Sequence, residues 1–291
     1  MKNCRLPIAD CRLPVEKPKC FRRAFPIVNR KSKIVNGFTL IELLVVISIL
    51  GILAALTLPA LKNLGKSNSV VSASRQLLDA VGRARQLAIA NHTTVYMVFV
   101  PTNFWGGLTT AQLALPATTN LCDKQLTGYT FISRGAAGDQ PGQHPWHYLE
   151  PWRALPDGSF IAPWKFGPRA IINPVPDPGS GTPLYQVPGF DTVNVPFPTE
   201  TAVSGVWLPS IAFNYLGQLT TDGQNPASQH EYIPLARGSM LPAMDPSSKA
   251  LQFNPPDVSE TPPGNSASSA YNIVDIDPLT GRATLRFQKV Q

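Results

Sequence analysis

The residues with the most specific chemistry stand where a basic segment meets an apolar one. Gly37-Phe38-Thr39-Leu40-Ile41-Glu42 sets a small residue, a bulky apolar one and, four positions later, a carboxylate. The carboxylate is the anomaly. Residues 38–58 read FTLIELLVVISILGILAALTL, 21 residues with Glu42 as their one charge. An ionised acid inside a spanning helix is costly unless an opposite charge meets it. A cut between Gly37 and Phe38 would make that partner, because it would leave a cationic α-amine on Phe38. That amine lies at i−4 from Glu42, on the same helical face.

The other reactive side chains form no comparable set. His144-Pro145-Trp146-His147 brings two imidazoles together, but no Cys or carboxylate stands beside them at a zinc-ligand spacing, so they read as surface or packing residues. Asp222, Asp275 and Asp277 lie near turns, and without a dense D-x-D-G loop they read as turn caps rather than calcium ligands. Gly65-Lys66-Ser67 matches the close of a phosphate-binding loop. Ala60, however, occupies the place of that loop's first glycine, and no strand precedes it. Cys122 has no identifiable base nearby, and neither a nucleophile elbow nor a dinucleotide fingerprint occurs. The sequence therefore predicts no catalytic residues, no metal site and no cofactor: a chain that is not an enzyme.

The elements that must position Glu42 follow from charge and periodicity. Twenty-one apolar residues make ~30 Å of helix, enough to span a bilayer. Ten basic and two acidic groups precede the run, a net +8 over residues 1–37, whereas only Lys62 and Lys66 follow it closely. That asymmetry holds the N-terminus in the cytoplasm. The remaining 254 residues carry fifteen basic and sixteen acidic groups, which excludes a broad nucleic-acid surface. Cys4, Cys11 and Cys20 also fall in the first segment, so its removal would leave Cys122 with no partner for an internal disulfide. The plainer alternative is a signal anchor or a long cleaved signal. A cleaved signal wants a small-residue site where the apolar run ends, yet here the run continues into helix-forming sequence.

Pro59 lacks an N–H and would kink the helix, or else the helix stops at Thr57 or Leu58. Helical signals resume at once. Val70, Leu77, Val81, Ala84 and Ala88 recur at three- and four-residue spacing with Leu78 and Leu87 on the flanks, while Arg75, Arg83 and Arg85 occupy a solvated side. This predicts one bent helix from 38 to about 90, roughly 80 Å long, ended by Asn91 and Thr93-Thr94. Beyond residue 93 come 25 prolines in 199 residues, well above the usual ~5%, which excludes long helices. Strands are predicted at 94–100, 129–133, 205–215, 231–236, 271–276 and 283–287, the last two joined by the turn Asp277-Pro278-Leu279-Thr280-Gly281. The fold class is α+β: a long N-terminal helix, membrane-spanning in its first half, packed on an antiparallel sheet. The expected divisions are a leader (1–37), a transmembrane half-helix (38–58), which the resemblance given next makes the filament core, an amphipathic half-helix (59–91) and a β domain (92–291) with a Pro/Gly-rich insertion at about 102–204.

The segment from Gly37 to Leu61, GFTLIELLVVISILGILAALTLPAL, resembles the type IV filament superfamily, the type IV pilins and the pseudopilins of type II secretion. In that family a membrane aspartyl peptidase cuts after the glycine and methylates the new N-terminus. The resemblance implies that Gly37 precedes the cut, Phe38 is N-methylated, and Glu42 is the assembly acid. A leader of 37 residues is long for the family, and it repeats itself, CRLPIAD being followed by CRLPVEK. Arg75-Gln76-Leu77-Leu78, the stretch Ala84–Ile89 and Phe213-Asn214-Tyr215-Leu216-Gly217 resemble the H-type minor pseudopilins, in whose compact pattern 102–204 has no obvious place. The implied partners are prepilin peptidase, other pilin or pseudopilin subunits, an inner-membrane assembly platform and membrane lipid. The implied location is the inner membrane, then a periplasmic or extracellular filament. The rival expectation is a membrane-anchored enzyme or binding module, with Trp105, Trp146, Trp152 and Trp164 forming either a ligand platform or staples of the core.

Overall fold

The structure, a computed structural model, describes residues 39–67, 69–136, 138–140, 142–176, 183–202, 204–266 and 272–286, with side chains of 54–67 outside the description. The chain forms two compact units, Met1–Ala55 and Leu56–Gln291. Helix α1 (Leu40–Ser67) is followed by α2 (Ser69–Asn91). Position 68 lies outside the described residues, and with it the predicted continuity of one long helix. The backbone of α1 stays helical through position 59, so the helix does not stop at Thr57 or Leu58.

After α2 come β1 (Val95–Phe99), the short helices α3 (Thr110–Leu113) and α4 (Pro116–Thr119), then β2 (Gly128–Arg134), β3 (Trp146–Tyr148), β4 (Arg153–Ala154) and β5 (Ser159–Ile161). Next are β6 (Ile172–Pro176), β7 (Pro183–Pro188), β8 (Asp191–Pro196), β9 (Gly205–Phe213) and β10 (Leu219–Thr220). The chain closes with β11 (Glu231–Leu241), β12 (Asp257–Glu260), β13 (Asn272–Ile276) and β14 (Ala283–Arg286). A seven-stranded sheet runs β10-β9-β1-β2-β3, with β4 also on β2 and β8 on β9. A five-stranded sheet runs β12-β11-β13-β14 with β5 on β11, and β6-β7 make a separate hairpin. All these pairings are antiparallel. The six predicted strands are present, and β11 continues past the expected end at residue 236 because Gly238–Leu241 pair with β12. The stretch 102–204 contributes strands to both sheets.

The amphipathic stripe of α2 explains how the sheets are held. Ala73, Leu77, Ala80, Val81, Ala84 and Ala88 are buried, and α2 packs on β1 and β9 of the larger sheet and on β5, β11, β13 and β14 of the smaller. Four alanines on this stripe let the helix backbone approach both sheets closely. Met97, Phe99, Phe131 and Phe213 meet it from one sheet, Ile233, Leu235, Val274 and Ile276 from the other. Each such large side chain contributes about 1.5–3 kcal/mol when fully buried. Alternation along β1 then buries its opposite face too: Val98 and Val100 pack with Phe104, Ile132, Phe197 and Leu208. Trp105, Trp146 and Trp152 pack against this second cluster, while Trp164 packs in a third and donates from Nε1 to Ser266 O at 2.7 Å. The four tryptophans of 102–204 thus pack, partly buried, against the core.

The polar side of α2 is more than a solvated face. Arg83 Nε donates to Glu150 Oε1 at 3.0 Å, and Arg85 Nε donates to Thr280 O at 2.8 Å. The Phe213-to-Gly217 segment locks the end of the helix. Buried Asn214 accepts from Leu216 N and Gln218 N through Oδ1, and its Nδ2 donates to Gln218 Oε1 and Gln224 O. Gly217 has φ +76°, and a Cβ there would come within 2.7 Å of Ile89 Cδ1 on α2. A turn this close to a helix, in the left-handed region, requires glycine.

Candidate functional site

The site begins where α1 begins. Gly37 and Phe38, the residues expected to flank the cut, lie outside the described residues, so the structure starts with Thr39. Thr39 N and Thr39 Oγ1 both donate to Glu42 Oε2 at 2.9 Å, and Glu42 N donates back to Thr39 Oγ1 at 3.3 Å. Leu43 N donates to Thr39 O at 3.1 Å. This is a reciprocal capping box, which satisfies amides that the first helical turn leaves unpaired. The signal lay in the sequence as Thr39-Leu40-Ile41-Glu42, a threonine followed three residues later by glutamate ahead of an apolar run. The expected role for Glu42, attraction to an amine on Phe38, did not draw on it.

The capping box defines what Glu42 can do. Its carboxylate is held in the first turn of the helix by Thr39 and is exposed. Both bonds from Thr39 end on Oε2, one oxygen of two. Around it, every described side chain from Leu40 to Leu53 is exposed, including Leu40 (83%) and Ile41 (65%). Among the described residues no helix is long and apolar enough to cross a membrane. The predicted span, 38–58, starts before them and ends beyond Leu53, so it lies partly outside them. Pro59 is also there: its backbone position is helical, and its side chain is outside the description.

The remaining candidates resolve as local structure. Asp222 accepts from Thr220 Oγ1, Gln224 N, Asn225 N and Asn225 Nδ2, and these donors pull its pKa well below the carboxylate range, the Gln224 amide most. Asp277 accepts from Thr280 N and Oγ1, a turn cap that lowers its pKa. Asp275 instead pairs with His230 Nδ1 at 2.7 Å and Arg286 Nε at 3.0 Å. Gly65-Lys66-Ser67 lies in the helical backbone of α1, with no loop to surround a phosphate. Cys122 is buried, and burial pushes its thiol up to about 11, away from nucleophilic use. Among the described residues no three or more His, Cys, Asp or Glu side chains gather as a metal site.

His147 is partly exposed and paired. It has carboxylates on both sides: Nε2 is 3.0 Å from Asp139 Oδ2 and Nδ1 is 3.1 Å from Glu200 Oε1. The hydrogen bond to Asp139 is the main cause that raises its pKa. Glu200 is 53 positions away, a distance no local spacing rule spans.

Residues 33–58 match the prokaryotic N-terminal methylation motif. That segment is typical of type IV pilins and pseudopilins and implies processing by prepilin peptidase, inner-membrane anchoring and pilin-like assembly. The chain therefore carries a prepilin-type N-terminus on a pilin-like α+β arrangement, with α2 packed against antiparallel sheets. The match ends at Leu58, before the residues that resemble the H-type branch. No curated protein and no solved structure matches the chain.

Proposed function

We propose that the protein is a structural subunit of a type IV pilus or a type II secretion pseudopilus, cut between Gly37 and Phe38 and methylated on Phe38. It is a substrate of an enzyme rather than an enzyme itself. It waits as a single-pass inner-membrane protein with its leader in the cytoplasm, then joins other subunits through an assembly platform. The single observation that carries this reading is the methylation motif across 33–58. The capping box supports it by holding the acid at the helix start, where the amine of a neighbouring subunit would add an opposite charge.

The register of assembly then depends on the charge of Glu42 rather than on its hydrogen bonds. Glu42→Gln keeps an acceptor for Thr39 and removes the charge, whereas Glu42→Val removes both. Both variants should be cleaved like the parent and should be lost from sheared filaments or pseudopili. Normal incorporation of Glu42→Gln would contradict the register role.

A second reading, a membrane-anchored binding module, draws on Trp207. Its side chain on β9 is 65% exposed and lines a groove of about 400 Å³ with Tyr96, Arg134, Trp146, Asn194 and Asp222. Aromatic faces beside polar groups suit a glycan. Capture on a glycan array that disappears with Trp207→Ala would favour that reading.

A further inference from the structure

A buried cation stands within the β domain. Lys165, in the single turn Pro163–Phe166 after β5, is fully buried, and Glu231 at the start of β11 is 3% exposed. Lys165 Nζ contacts Glu231 Oε1 directly. It also donates to Pro188 O at 2.8 Å and lies 4.6 Å from the ring centre of Phe190. Arg169 Nη1 donates to Glu231 Oε2 at 3.1 Å and is 3.1 Å from Asp191 Oδ2, at a rim open to solvent.

A buried amine beside a buried carboxyl group is an arrangement from which an amide can form. We infer that Lys165 and Glu231 are joined by an intramolecular amide between Nζ and Cδ, a covalent tie across the β domain. The steps balance without a co-reactant. The ammonium passes a proton to Oε1, giving an amine and a carboxylic acid. Burial lowers the Lys165 pKa and so eases release of that proton. The amine lone pair attacks Cδ and forms the C–N bond, while the oxyanion that develops on Oε2 faces Arg169. A second proton moves from nitrogen to the Oε1 hydroxyl, the C–O bond breaks, and water leaves.

The contacts already present fit the product. A secondary amide has one N–H and one carbonyl oxygen. The N–H keeps Pro188 O as its acceptor, and the carbonyl oxygen keeps Arg169 as its donor. A retained ammonium would keep Glu231, Pro188 O and the face of Phe190 as its partners, and the two states differ in mass by one water. The cross-link would brace a domain whose one cysteine among the described residues, Cys122, forms no disulfide.

The test is tryptic mapping of the full-length protein, purified from membranes in detergent and digested after denaturation. No Lys or Arg lies between Arg169 and Arg237, and Lys165 is the one basic residue between Arg153 and Arg169. The expected result is a complete loss of cleavage after Lys165, with peptides 154–169 and 170–237 recovered as one species lighter by one water than their sum. Fragmentation should place the link at Lys165 and Glu231. In Lys165→Arg the link should disappear and the 154–165 peptide should return. Recovery of free 154–165 and unmodified 170–237 from the folded parent protein would overturn the inference and leave an ion pair. The parent digest decides the matter even if the variant does not fold. The outcome is independent of filament assembly, because a linked domain is compatible with either function proposed above.

Discussion

Leu40–Leu53 and Leu77–Ala88 are both helical and rich in aliphatic residues, yet they meet opposite environments. On α2, Leu77, Val81 and Ala84 are fully buried beneath two sheets, and the polar residues between them face outward or reach back to the domain. On α1, Leu44, Ile47 and Leu50 are about half exposed or more, and no polar face relieves them. A helix with one apolar stripe is finished by its own protein. A helix apolar all round needs a surrounding medium, either lipid or other helices. Within one chain, the pattern separates a helix that its own domain buries from one whose described side chains lie exposed.

The sharpest way to break this comparison is to delete equivalent side chains. Leu77→Ala should destabilise the β domain by about 2–5 kcal/mol. Leu44→Ala should leave it within about 0.5 kcal/mol, as for surface sites. Thermal unfolding followed by tryptophan fluorescence reads both, since all five tryptophans lie between residues 105 and 207. Equal losses would break the comparison. A smaller effect is expected at the α2 end of the comparison. Gly217→Ala should cost about 1–2 kcal/mol for its left-handed backbone and more for the contact with Ile89, so its melt should fall between those of the two leucine variants.

How much of this was legible in the sequence depends on how far apart the partners lie. The stripe Leu77-Val81-Ala84-Ala88 and the strand at 94–100 follow from side-chain period alone, and both appear nearly as expected. The methylation segment is as plain, because its small residue, acid and apolar run are contiguous. What was not legible is pairing across long loops. Nothing local announces that β5 joins β11 between Leu235 and Ile161, that Arg85 reaches Thr280, or that Lys165 meets Glu231. The capping box at Thr39 was legible and was obscured by the more conspicuous charge of Glu42. Likewise, Trp105, Trp146 and Trp152 became staples because the second face of β1 needed cover, a need that appears only once β1 is known to be central.

The smallest expected effect concerns pH. Asp139 and Glu200 raise the folded pKa of His147 above its ordinary value of about 6.5. A raised folded value means that the contribution of the charged pair is fully present below the unfolded pKa and is lost as pH climbs through the folded one. An NMR titration of the His147 ring should therefore show a midpoint above that of exposed histidine, moving down in Asp139→Asn. A midpoint at or below the ordinary value would contradict the pairing of His147 with Asp139 and Glu200.

The central claim is that Glu42 and the apolar helix behind it are presented to other subunits by a cut at Gly37. Mass spectrometry of the N-terminal peptide of the mature protein, from cells with and without prepilin peptidase, tests it most directly. The expected peptide begins at N-methylated Phe38 when the peptidase is present and retains the leader when it is absent. A mature chain that keeps residues before Phe38 in both strains would contradict the claim.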